Sequence, residues 1–175
     1  MARLPNVDAG TPGVDADLVR AVRERRGGEL LNLDRMLLHS APVARGWNGY
    51  MGAIRTGCAL AGDLRELVIL QVAVLNRAPY EFTQHVPVAL ADGLSQRKID
   101  ALVDWRTASV YSERERDVLA YAEAMTLNVQ VDEAIFKAVR RHFSDRELVE
   151  LTATVASYNM VSRFLEALGV QIEAG

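Results

Sequence analysis

The chain has 175 residues, half of them apolar and a quarter charged, a size and balance suited to one soluble domain with a substantial core. A net charge of -3 offers nucleic acid or an anionic membrane surface no basic face, and no apolar run reaches the roughly 20 residues that span a bilayer. The single cysteine, Cys58, excludes an internal disulfide and a dithiol pair. With no apolar signal core in the first residues, the expectation is a cytoplasmic protein.

Residues 1–13, rich in Gly, Pro and Asp, read as an irregular N-terminal arm, and residues 14–175 as a single helical domain. Helices are expected from Val14 to Arg26, ended by Gly27-Gly28, and from Leu30 to His39. A third starts at Ser40-Ala41-Pro42 and runs through Trp47, Tyr50 and Ile54. Asp63 opens a central helix, with Glu66 placed as a capping-box partner. Between Leu64 and Leu75 only Arg65, Glu66 and Gln71 are polar, the pattern of a buried helix.

Pro79 predicts that this helix stops near Arg77 and that a second begins, ending at Asp92 before Gly93. Pro87, inside the second helix, predicts a kink. Further helices are expected over Ser95–Trp105, Ser112–Leu127 and Asp132–Phe143, with Ser112 and Glu115 as a capping box. Ser144 and Glu147 repeat that signal at the start of the last helix. There Arg146-Glu147-Leu148-Val149 echoes Arg65-Glu66-Leu67-Val68, too short a match to establish duplication over convergent capping. Leu148, Thr152, Val155 and Asn159 share a face, while the apolar side then moves to Val161, Phe164 and Leu168, so a break or full burial is expected near Asn159. No strand-like alternation occurs, and the fold class is all-α.

Glu81 and His85 are four apart and project from one side of the second helix. A carboxylate beside an imidazole can orient its tautomer and raise its proton affinity, as general acid–base work requires. Glu66, on the preceding helix, is the third candidate. Each has a plainer reading: Glu66 as a cap, Glu81 as a complement to the helix dipole, and His85 as a structural histidine beside the apolar stripe of Phe82, Val86, Ala89 and Leu90. The same three side chains also offer mixed carboxylate and imidazole ligands to a metal, but no His-rich motif accompanies them. His39 and His142 lie elsewhere, and no metal or other cofactor is expected.

The stretch resembles the carboxymuconolactone decarboxylase family, which includes the alkylhydroperoxidase D-like proteins. The peroxidase branch carries a Glu, a Cys-x-x-Cys pair twelve and fifteen residues on, and a His four further. Counted from Glu66, these positions fall on Ala78, Glu81 and His85, so the spacing is kept while both thiols are absent. Tyr80-Glu81-Phe82-x-x-His85 is similar to the cysteine-free, decarboxylase-like branch, and the resemblance extends from about Leu33 to Val170, with Tyr158-Asn159 and Arg163 near its end. It implies an alkylhydroperoxidase D-like helical bundle that forms a homo-oligomer, commonly a trimer or hexamer, with sites near subunit contacts. Cys58 matches neither thiol position, which argues against thiol peroxidase chemistry.

The expected activity is that of a cofactor-independent lyase of the 4-carboxymuconolactone decarboxylase type, acting on a small carboxylated lactone or related enolisable acid. Glu66, Glu81 and His85 would be its catalytic residues. Arg77 and Arg163 would grip the carboxylate, with Tyr80 and Asn159 beside them. Phe82 and Trp47 are further candidates to line a pocket, and aromatics at this spacing equally serve a plain core. The alternative is a non-catalytic helical oligomer that binds a small molecule or a pathway partner.

Overall fold

The computed structural model describes residues 2–173, and among them every regular element is helical. Two compact units are present, one formed by the chain up to Gly57 together with the segment from Leu165 onward, the other by Cys58–Phe164.

In the first unit, residues 2–13 carry no helix. Arg3 is tied through its backbone N–H to the Leu168 carbonyl, and Val7 is buried. Helix α1 (Ala16–Arg26) starts two residues later than expected, where the Asp15 side chain caps the Leu18 N–H, and it is closed by Gly27 in a left-handed conformation, as the sequence predicts. Helix α2 is shorter than expected, Asn32–Leu37; its buried Asp34 holds Arg26 at 2.9 Å. Helix α3 (Ala41–Gly52) passes into a single π-helical turn, Ala53–Gly57, for which the sequence gives no local signal.

The second unit is organised around α4 (Gly62–Asn76) and α5 (Pro79–Ala91). The former packs chiefly on α5 and on α7 (Glu113–Leu127), and the eight consecutive positions from Glu66 to Ala73 are all buried, as is Leu64. Arg77 ends α4 in the left-handed region (φ 54°), an uncommon conformation for a residue with a Cβ. Pro79 then takes the first position of α5, which continues through Pro87 and stops at Asp92 and Gly93. The expected Ser95–Trp105 helix shrinks to α6 (Gln96–Asp100) followed by turns, and α8 spans only Glu133–Arg140.

Helix α9 runs unbroken from Asp145 to Leu168, so the break expected near Asn159 does not occur. Nor is Asn159 fully buried. Its amide donates to Thr126 Oγ1 and to the Val155 carbonyl, while its oxygen accepts from Asn76 and Arg163. A polar residue on an otherwise apolar face is thus satisfied without interrupting the helix. Among the described residues, no helix is long and apolar enough to cross a membrane.

Candidate active site

The two Arg-Glu-Leu-Val segments diverge in the structure. Glu147 accepts from the Ser144 backbone and hydroxyl, closing the capping box that begins α9. Glu66 caps nothing: α4 begins one residue earlier than expected, at Gly62, with Ala61 as an N-cap that makes no side-chain bond. The Glu66 carboxylate instead crosses to α5, where its Oε2 lies 2.7 Å from His85 Nδ1. The capping expectation is corrected because helix packing offers a buried imidazole in place of an exposed backbone N–H.

This pair is almost wholly enclosed, with Glu66 1% and His85 7% exposed. A carboxylate accepting from Nδ1–H leaves Nε2 as the ring's second protonation site. Tyr158, from α9, meets the imidazole edge-on with ring centroids 4.9 Å apart, which restrains the ring plane. Arg65 donates from Nε to the other Glu66 oxygen at 3.2 Å. Burial pushes the Glu66 carboxyl up; the hydrogen bonds and charges of His85 and Arg65 outweigh that and hold it below the usual carboxylate value.

Glu81 lies one turn before His85 on α5 and is 1% exposed. Its Oε2 accepts from the hydroxyl of Ser162, a fully buried residue of α9, at 2.9 Å. Ser162 is a site residue that sequence reasoning missed; a serine inside an apolar stripe was its only signal. Among the described residues, no three His, Cys, Asp or Glu side chains are arranged to hold a metal ion, so Glu66, Glu81 and His85 do not form a ligand set.

The four expected substrate-binding residues do not share one pocket. Arg77 is exposed and lines an open depression of about 380 Å³ with Ala73, Val74, Ala78, Pro79, Phe82 and Thr83. Glu66, Glu81 and His85 do not line it, nor does Tyr80, which is buried at the start of α5. Ala78, the residue before α5, lines the depression and precedes Glu81 and His85 by three and seven residues. Asn159 and the exposed Arg163 are joined to each other, and through Asn76 to the C-terminal end of α4, beside Arg77. Trp47 belongs to the first unit.

Cys58 carries the chain's single thiol. Burial, followed by the nearby Glu150 carboxylate, pushes its thiol above the ordinary value, and so disfavours the nucleophilic thiolate.

Comparison with known proteins agrees with this architecture. Residues 41–124 match the carboxymuconolactone decarboxylase family, a stretch that contains Glu66, Glu81 and His85. The chain is 36% identical over 77 residues to the uncharacterized protein YnjA of Escherichia coli (strain K12); the match covers 43% of this chain and 42% of YnjA, less than half of that relative's length. The alkylhydroperoxidase AhpD core structure of an uncharacterized peroxidase-related protein from Ralstonia eutropha JMP134 superposes with a TM-score of 0.83 at 21% identity, covering 98% of this chain and 92% of that one. The debrominase Bmp8, solved with 2,3,4-tribromopyrrole, gives a TM-score of 0.78 at 22% identity, covering 99% and 91%. These structural likenesses establish the alkylhydroperoxidase D-like all-helical fold, and residues 41–124 are similar in sequence to the carboxymuconolactone decarboxylase family.

Proposed function

We propose that this protein is a cofactor-independent lyase that removes the carboxyl group of a small carboxylated lactone or related enolisable acid by general acid–base catalysis. The observation that carries the reading is the buried 2.7 Å contact between Glu66 and His85, nineteen residues apart. Its chemistry fits a decarboxylation. The bond from the substrate carbon to its carboxylate breaks, CO₂ leaves, and the electron pair passes into the neighbouring carbonyl as an enolate. Nε2–H of a protonated His85 then delivers a proton to a carbon of this enolate, and solvent restores it. Glu66 holds Nδ1–H throughout, compensating the imidazolium and fixing its orientation.

Glu81 and Ser162 continue the polar face one turn away, where Glu81 in its protonated form would donate to the enolate oxygen or relay the replacement proton, with Ser162 holding its other oxygen. Arg77, beside an apolar depression, and Arg163, held by Asn159, would attract the substrate carboxylate. Because Glu66 and His85 are enclosed within the chain, their access to substrate is assigned to the Ala78 end of α5. Assembly as a homo-oligomer forms part of the same reading, with a neighbouring subunit completing the wall of the site. Thiol-dependent peroxide reduction is disfavoured, since Ala78 and Glu81 stand at the thiol positions and the Cys58 thiol is raised.

The test is turnover of 4-carboxymuconolactone, followed by absorbance without added thiol or metal, by the parent and by a folded His85→Ala variant. Turnover by the parent and its loss in the variant is the expected result. A variant that retains the parental rate would remove His85 from the mechanism.

A further inference from the structure

Arg65 and Asp92 did not stand out in the sequence, yet they form an unbroken chain with the catalytic pair. The Arg65 guanidinium donates from Nε to Glu66 Oε1 at 3.2 Å and from Nη2 to Asp92 Oδ2 at 2.6 Å. Adjacent residues on a helix point about 100° apart, so the Arg65–Glu66 contact is no by-product of helical spacing; the long side chain has to turn back along α4. That side chain is only 14% exposed, while Asp92 reaches solvent at 31%.

The position of Asp92 depends on Gly62. A Cβ built on Gly62 would lie 2.8 Å from Asp92 Oδ2 and 2.9 Å from its Cγ, too close for any real contact with a fixed carboxylate. Gly62 has no left-handed backbone that would otherwise call for glycine. The absent side chain therefore makes room for the carboxylate at the end of α5, where it meets the start of α4.

We infer that Arg65, anchored by Asp92 in the space left by Gly62, is a positioning residue that sets how firmly the Glu66–His85 pair holds its proton. The inference rests on the proposed role of that pair. Charged and titratable groups near His85 among the described residues include Glu66 on α4, Tyr158 on α9 and Glu81 one turn earlier on α5, with Arg65 behind Glu66. Arg65 shares the Glu66 charge, so less of it is left to stabilise an imidazolium. Asp92 in turn neutralises part of Arg65. Removing Arg65 should strengthen proton binding by the pair, whereas removing the Asp92 charge should weaken it. A simple clamp between helix ends would give neither shift.

The test is an NMR titration of the His85 imidazole in the parent, Arg65→Gln, Asp92→Asn and Glu66→Gln proteins, with His39 and His142 as internal references. Arg65→Gln is expected to move the His85 titration up by roughly one pH unit, the scale set by a unit charge several ångströms away in a medium of intermediate dielectric. Asp92→Asn should move it down by a smaller amount. Gly62→Ala, which displaces the Asp92 carboxylate, should follow Asp92→Asn. A His85 titration that moves in Glu66→Gln but in none of the other folded variants would overturn the role of Arg65 and leave the catalytic reading standing. Absence of turnover in the parent, with the opposed shifts observed, would overturn the catalytic reading and leave the positioning inference standing. If Arg65→Gln does not fold, the sign of the Asp92→Asn shift decides.

Discussion

The contact between Glu66 and His85 can be weighed by a double-mutant cycle built from Glu66→Gln, His85→Gln and the double variant. Both replacements keep side-chain volume nearly constant, so cavity terms stay small. Glu66→Gln removes a buried negative charge and leaves Arg65 with Asp92 alone, for a loss of about 3 kcal/mol by analogy with broken buried pairs. His85→Gln leaves Glu66 paired with Arg65, and should cost about 2 kcal/mol, the value of a hydrogen bond to a charged group. The double variant loses the shared interaction once, so its expected cost is about 3 kcal/mol and the coupling about 2 kcal/mol. Urea unfolding at pH 7 supplies the four stabilities.

The sign with pH follows from the lowered Glu66 carboxyl. A carboxyl held below its unfolded value contributes its full stability above that value, and the contribution fades as pH falls through the folded one. The coupling should therefore be complete at pH 7 and shrink as acid titrates Glu66. A coupling below about 0.5 kcal/mol at pH 7 would refute the claim that this contact is a strong, charge-assisted bond.

Other features yield more local expectations. Ser112→Ala should cost about 1 kcal/mol in urea unfolding, because the hydroxyl accepts from the Glu115 N–H and donates to its carboxylate; a loss below 0.3 kcal/mol, on the same cap scale, would deny the box an energetic role. Burial, with the Glu115 charge adding to it, pushes Tyr111 from 10.0 up to about 12, and its hydroxyl donates to the Lys98 carbonyl at 2.5 Å. Stability should then fall between pH 10 and 12 in the parent and less so in Tyr111→Phe, as the unfolded phenol ionises first. Asn159→Ala should cost about 2 kcal/mol in thermal or urea unfolding, since Asn76 and Thr126 both lose a partner; a neutral result would show that water replaces the amide.

Several parts of this protein are written locally in its sequence. The caps at Asp15, Ser112 and Ser144, the left-handed stop at Gly27 and the turn from Arg77 to Pro79 each act on backbone groups within about four residues. That short range is why they can be read along the chain, and with the absence of strand alternation they make the fold all-helical before any packing is considered. That Glu81 and His85 lie one turn apart on α5 was also legible from helical spacing, but the carboxylate that meets the imidazole is Glu66, while Glu81 accepts from Ser162.

What Glu66 does could not be read in this way. The same Arg-Glu-Leu-Val words place one glutamate on its own helix end and send the other across to His85, and the choice depends on the packing of α4 against α5. The unbroken path of α9 past Asn159 likewise depends on partners drawn from α4 and α7. Ser162 beneath Glu81, and Asp92 set against Gly62 to hold Arg65, are joined across 81 and 27 residues of sequence. Periodicity fixes which way a side chain points around its own axis, but carries no record of where one helix crosses another. The helices and their ends are therefore decided by the sequence locally, whereas the hydrogen-bonded chain from Asp92 to His85 exists only once α4 and α5 have packed.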